Sequence, residues 1–112
     1  MRLHTGRTAD GSPLVRVIGD LDISVSAALR EHLHAVLDTA GAGVPPAMSL
    51  MLDLDAVEFI DSTILGVLVG VHKRLMEHSQ RLTLIGVRGR ILRTFKLTCL
   101  DQVFTVVPAP PA

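Results

Sequence analysis

The run Met48-Ser49-Leu50-Met51-Leu52-Asp53-Leu54 constrains this chain most. It is almost continuously apolar and of strand length, the pattern of a central strand buried on both faces by crossover helices. It leads through Phe59-Ile60 to the polar triplet Asp61-Ser62-Thr63 and on to a second apolar stretch. There Ile64, Leu65, Val67, Leu68, Val69, Val71, Leu75 and Met76 form a helical pattern, with Lys73 and Arg74 near the end where cations complement the dipole. The triplet therefore sits at a strand-to-helix junction, with its hydroxyls and carboxylate exposed. An Asp61 or Ser62 oxygen there caps the first free N–H groups of the helix, and those same groups suit an anion. Gly66 and Gly70, four apart, share one face and are expected to let the helix pack closely on the sheet.

The remaining elements follow by the same reading. Residues 3–8 and 14–18 read as two strands of a hairpin around the turn formers Asp10-Gly11-Ser12-Pro13. After Gly19 a polar loop, Asp20-Leu21-Asp22-Ile23-Ser24, precedes a helix over 25–40 whose apolar positions are Ala28, Leu29, Leu33, Val36 and Leu37. Residues 40–46, rich in Gly and Pro, break that helix. Residues 81–87 form a strand, a helical pattern starts at 88–90 with Ile91, Leu92, Phe95 and Leu97 inward, and 103–107 read as the last strand. The order ββαβαβαβ predicts an α/β fold, an open, mostly parallel, mixed central sheet with helices. One domain is expected over 1–112, its core at about 3–107 and a flexible Pro/Ala tail at 108–112. Sites in such sheets lie where strands exit into helices, so the polar loops 20–24 and 61–63 are expected to be neighbours.

Composition excludes several classes of function. Eleven basic and eleven acidic residues give zero formal net charge, and the only aromatics are Phe59, Phe95 and Phe104. Neither electrostatic attraction to phosphate backbones nor a base-stacking platform is available, so no nucleic acid is expected. The basic trio Arg88, Arg90 and Arg93 reads as a solvated face. No run approaches the roughly 18–20 apolar residues that span a bilayer, and the first eleven residues lack a signal-peptide stretch, so the expectation is a cytoplasmic protein without direct membrane insertion.

Chemistry-bearing residues offer little to an enzyme. There is no G-x-S-x-G elbow, no glycine-rich phosphate loop and no metal-ligand spacing. His32 and His34, two apart, diverge by roughly 200° on a helix and cannot share a metal, and His4, His72 and His78 add no spacing to them. They read as solvated or helix-end histidines. Cys99, the single cysteine, lies among apolar neighbours and is expected to be a buried, inert thiol. A Ser62 nucleophile would need a base that nothing in the sequence supplies. No catalysis, cofactor or metal is expected.

Gly19-Asp20-Leu21-Asp22, the apolar strand, the stretch Phe59 to Leu68 and the ending Leu84-Ile85-Gly86-Val87 together resemble the STAS domain, in particular bacterial anti-sigma factor antagonists. The likeness runs over about residues 3–107, and its most specific part is a D-S-[ST]-G-L-G core. The resemblance implies a protein-interaction module of transcription regulation and stress response. Such a module binds an anti-sigma factor that is also a serine kinase, frees sigma, and is switched off by phosphorylation. The phosphoacceptor falls on Ser62, with Thr63 the adjacent alternative. Asp20, Asp22, Ser24 and Asp61 would shape the docking surface, with Ile64 and Leu65 as apolar contacts. Ile64 stands where the family usually has glycine, and a β-branched side chain there would either crowd a kinase or add a contact. That departure favours the other reading, a non-phosphorylated accessory subunit of a transporter or a small-ligand sensor. Relatives often add a terminal helix after the last strand, so an apolar sheet face is expected to be exposed or covered by a partner. The expected state is a monomer or weak dimer.

Overall fold

The computed structural model describes residues 1–9, 11–40 and 49–107. Strand β1 (Arg2–Arg7) runs antiparallel to β2 (Pro13–Ile18), with Arg2 opposite Ile18 and Arg7 opposite Pro13. Thr8 N–H donates to the Ser12 carbonyl (2.8 Å) to close the hairpin. Then come α1 (Ile23–Ala40), β3 (Ser49–Ala56), α2 (Ser62–Met76), β4 (Arg81–Ile85), α3 (Gly89–Leu97), a short 3-10 turn (Leu100–Gln102) and β5 (Thr105–Val107). The expected α/β fold and element order are those of the structure. The last strand is shorter than expected because Val103 N–H and Phe104 N–H both bond back to the Leu100 carbonyl. Apart from Ala40, the loop expected at 40–46 lies outside the described residues, as does the tail 108–112.

The five strands lie side by side in chain order, β2 to β5 all parallel. Parallel crossovers are right-handed almost without exception. When each new strand is added on the same side of the last, right-handed crossovers carry every helix over the same face of the sheet. Burial follows that rule. Leu50, Leu52 and Leu54 of β3 are buried, whereas Met51, Asp53 and Asp55, pointing the other way, are half-exposed. The same alternation in β2 buries Val15 and Val17 and exposes Arg16. One cluster joins these strand residues to Leu29, Leu33 and Leu37 of α1, Ile64, Leu68, Val71 and Leu75 of α2, and Ile91 and Phe95 of α3. The expectation that β3 is covered on both faces is therefore corrected: helices cover one.

Several side chains depart from their expected positions. Gly66 and Gly70 face solvent, and a Cβ on either would touch nothing within 4 Å. They do not bring α2 close to the sheet. Leu97 is 80% exposed, because six residues beyond Ile91 the helix has turned about 240° from its buried stripe. Ala28 is exposed beside the buried Leu29. Cys99 is also exposed, in a left-handed conformation (φ 59°) between the end of α3 and the 3-10 turn Leu100–Gln102. Two histidines are bonded rather than simply solvated. His32 Nε2 lies 2.7 Å from Thr5 Oγ1. Arg74 Nη1 donates to His34 Nδ1 (2.9 Å) while its other nitrogen pairs with Asp38, clamping α2 to α1.

Two glycines should respond in opposite ways to alanine. Gly86 sits at φ +76°, and a Cβ there would lie 2.7 Å from Asp55 Cβ and 2.9 Å from Asp55 Cα. Gly86→Ala is expected to cost more than about 1 kcal/mol in urea unfolding. Gly66→Ala, at an open position inside α2, is expected to stabilise by about 0.5–1 kcal/mol, raising Tm by several degrees. A destabilised Gly66→Ala would show that α2 meets something at this face.

Candidate functional site

The strand exits of β2 and β3 are joined by an isolated parallel bridge between Leu21 and Ile60. Leu21 N–H donates to the Phe59 carbonyl (2.9 Å) and Asp61 N–H to the Leu21 carbonyl (3.1 Å). The two polar loops are thus neighbours, as the sheet reading requires. Leu21 and Ile60 point into the core and are buried. Side chains alternate along extended chain, so the residues on either side of each, Asp20 and Asp22 on one segment and Phe59 and Asp61 on the other, turn outward. In this register Asp20 lies beside Phe59 and Asp22 beside Asp61.

Each inner carboxylate begins a helix. Asp22 Oδ1 accepts from Ser24 N–H (2.9 Å) and from the Ser24 hydroxyl, and the Asp22 carbonyl accepts from Val25 N–H (3.1 Å). The Ser24 hydroxyl first, and its backbone N–H second, hold the Asp22 carboxyl below its ordinary pKa. The cap is therefore charged at neutral pH and weakens only as the pH falls through that lowered value. Asp61, in extended conformation (φ −98°, ψ 176°), caps α2 by accepting from Ile64 N–H (3.1 Å). That settles the choice left open between Asp61 and Ser62: Asp61 is the N-cap, and Ser62 and Thr63 are the first two helical residues.

Both hydroxyls are exposed, and neither is engaged by another described residue. Ser62 Oγ is presented at the positive end of α2. With Asp61 Oδ1 committed to the cap, no neighbouring base is arranged to activate it.

Not every expected contact survives. Ile64 is wholly buried at 0% exposure and Leu65 nearly so, since both lie on the core side of α2. Ile64 therefore offers no exposed apolar surface and Leu65 very little, in contrast to the expectation that they supply apolar contacts. Asp20, Asp22, Ser24 and Asp61 do come together around the bridge. Two apolar side chains that the sequence reading did not place at the surface are exposed here: Phe59, at 49%, and Ile23, at 69%, at the start of α1. The alternation that turns Ile60 inward and Phe59 outward was the available signal, but it needed the bridge to give it direction. The third strand exit belongs to the same edge. Arg88 reaches back to Asp55 Oδ1 (3.2 Å) and to the Asp55 carbonyl (2.9 Å), tying the start of α3 to the end of β3 rather than forming a free basic surface. Among the described residues no three His, Cys, Asp or Glu side chains converge on a metal position, and no helix is long and apolar enough to cross a membrane.

Comparison with known proteins gives this arrangement a family. The STAS domain model matches residues 6–110. The anti-sigma-B factor antagonist of Listeria monocytogenes is 31% identical over 90 residues, covering 80% of this chain and 74% of that protein. Its counterpart of the same name in Staphylococcus aureus is 32% identical over 92 residues, covering 82% and 80%. The anti-sigma factor antagonist SpoIIAA in its unphosphorylated form superposes with a TM-score of 0.78 at 16% identity, over 97% of this chain and 89% of that one. The Bacillus SpoIIAA in its phosphorylated form gives 0.72 at 16% identity, over 97% and 92%. At such identity the two structures speak for the fold, while the family match and the curated relatives speak for descent: this chain belongs to the STAS domain family.

Proposed function

We propose that this protein is an anti-sigma factor antagonist of the bacterial cytoplasm. It binds an anti-sigma factor with serine kinase activity, which frees sigma, and phosphorylation at Ser62, or at the adjacent Thr63, switches it off. The observation that carries the reading is the exposed, unengaged Ser62 hydroxyl at the first turn of α2, immediately after the capping Asp61. The names of the curated relatives support the same role.

The chemistry asks little of this chain. As the kinase transfers the terminal phosphoryl group of ATP, a bond forms between Ser62 Oγ and phosphorus, the bond to the bridging oxygen breaks, and ADP leaves. The hydroxyl proton goes to a base of the kinase. Asp61 and its cap hold the acceptor in place, and no activating group on this side is required. The product carries about −1.5 to −2 additional charges beside Asp61 and close to Asp22. Repulsion between that charge and the phosphates of the nucleotide held by the kinase, together with the cost of desolvating it, then favours release. The α2 dipole offsets only part of this, since a charge at a helix end is worth about 0.3–1 kcal/mol. The transporter or small-ligand reading loses its main support because Ile64, the departure behind it, is buried in the core.

Incubation with the cognate kinase and ATP should add one phosphate by intact mass, and Ser62→Ala should abolish it. Full phosphorylation of that variant at a site other than Thr63 would sink the assignment. Asp61 offers a separate test. Asp61→Ala is expected to lose about 1 kcal/mol of stability with the cap, whereas Asp61→Asn keeps a comparable cap and removes only the charge. Calorimetric titration with the anti-sigma factor should therefore show weaker binding for Asp61→Asn at nearly unchanged Tm. Equal affinity would remove Asp61 from the docking surface.

A further inference from the structure

We propose that Phe59 and Ile23 form the apolar anchor by which this protein docks, seated in an apolar pocket of the partner whose rim is basic. The inference rests on the functional reading above and names the contact that Ile64 and Leu65 were expected to make. Among the described residues the exposed large hydrophobics are Met1, Ile23, Phe59, Met76, Leu97 and Val103. Ile23 and Phe59 stand at the strand-exit edge on the two segments that the Leu21–Ile60 bridge joins, and Met1, against Gly19, lies farther out on the same edge at the β2 exit. Ile23 and Phe59 are held there from both sides of one bridge. The Phe59 carbonyl is bonded to Leu21 N–H, and Ile23 follows two residues later, at the first position of α1 behind the Asp22 cap. Their backbones are thus fixed by hydrogen bonds and by the buried Leu21 and Ile60, so docking would order little more than two side chains. Aromatic and branched side chains on a rigid base are the groups that concentrate binding energy at interfaces.

The charge around them states what the partner must be. Asp20 lies beside Phe59 in the bridge register, Glu58 precedes it, and Asp22 and Asp61 complete the acidic border. The ion pairs found among the described residues involve Asp38 and Asp55, so none of these four carboxylates is in an ion pair with a described residue; the Met1 ammonium acts on Asp22 from farther off and Arg88 and Arg90 line a pocket with Glu58, which leaves Asp20 and Asp61 as the unmatched acids of the border. An apolar pocket with a basic rim complements that pattern, and opposite charges speed encounter more than they tighten the complex. Ser62 lies past Asp61, away from Asp20 and Phe59, so the pocket and the nucleotide that delivers the phosphate occupy different parts of the partner. Phosphorylation then places a phosphate against the nucleotide side without disturbing the anchor itself.

An anchor that does not itself touch the reacting hydroxyl binds ground and transition states alike, which predicts a specific kinetic pattern. For the anti-sigma factor binding this chain, Phe59→Ala should raise Kd about tenfold or more, and Ile23→Ala should weaken binding in the same direction. Phe59→Ala should raise KM for phosphorylation by a similar factor with kcat nearly unchanged, and Phe59→Leu should restore most of the loss. Met76→Ala, an equally exposed residue at the far end of α2, should change nothing. Asp20→Asn should slow association and flatten its dependence on salt. Circular dichroism melts keep folding separate from docking, since Phe59 is half-exposed and its loss should leave Tm close to the parent value. If the parent chain binds and is phosphorylated while Phe59→Ala matches it in Kd and KM, the anchor is wrong and the functional reading stands. If Phe59→Ala lowers kcat with KM unchanged, the side chain acts at the reaction and the anchor is likewise overturned. Association insensitive to salt would overturn the basic rim. If the parent neither binds nor is phosphorylated, it is the functional reading that fails.

Discussion

Two backbone hydrogen bonds, Leu21 N–H to the Phe59 carbonyl and Asp61 N–H to the Leu21 carbonyl, are the contact on which the site depends. They extend the sheet by one rung beyond β2 and β3. Without that rung the β2 and β3 exits would be two separate loops. With it, Leu21 and Ile60 are drawn into the core while Asp20, Asp22, Phe59 and Asp61 are turned out together. The rung also aligns the starts of α1 and α2, so that two aspartate-capped helices begin side by side. Asp22 and Asp61 each accept from a backbone N–H of the helix they begin; the Ser24 hydroxyl is taken up by Asp22, whereas the Ser62 hydroxyl is not engaged by another described residue.

The layer arrangement explains why this edge is accessible. Strands added in chain order, with every crossover of one hand, place all three helices on one face. The helix N-termini consequently line up along the strand-exit edge, at the β2, β3 and β4 exits in turn. At the third exit Arg88 holds Asp55, and Gly86 makes room for the Asp55 backbone. That tie keeps the basic start of α3 anchored to β3, where Arg88 and Arg90 line a pocket with Glu58, and leaves Asp20, Asp22 and Asp61 as the charged groups around the bridge.

Most of this was legible because periodicity and turn chemistry are local. The hairpin, the three helices, the parallel order and the exposed triplet at residues 61–63 all follow from spacing and from the residues that break it. What spacing does not carry is direction. Helical recurrence in α2 shows that Ile64, Leu65, Gly66 and Gly70 lie on defined faces, but not which face meets the sheet, and so the glycines were turned inward and Ile64 outward. Burial of Ile64 and exposure of both glycines reverse that assignment. The two-sided burial expected for β3 failed for a related reason: strand order is a non-local property, and five strands in chain order with one layer of helices leave the face of Met51 and Asp53 uncovered by helices. Leu97 and Cys99 were misplaced where α3 ends in a left-handed turn, since apolar neighbours say nothing about a chain that is changing direction.

The division of α2 into two faces bears on how a modification at its start would act. Ile64, Leu68, Val71 and Leu75 are buried, and each such side chain contributes about 1.5–3 kcal/mol through burial. Ser62, Gly66 and Gly70 are exposed and contribute almost nothing to that packing. A charge added at a helix terminus is worth a fraction of one buried leucine. A group on Ser62 Oγ therefore acts against a helix held in position by the burial of four large side chains on its other face, and it lacks the differential energy needed to rearrange the domain. Phosphorylation as proposed would therefore act by changing what the surface presents: the same rigid edge would offer a neutral hydroxyl in one state and a dianion in the other.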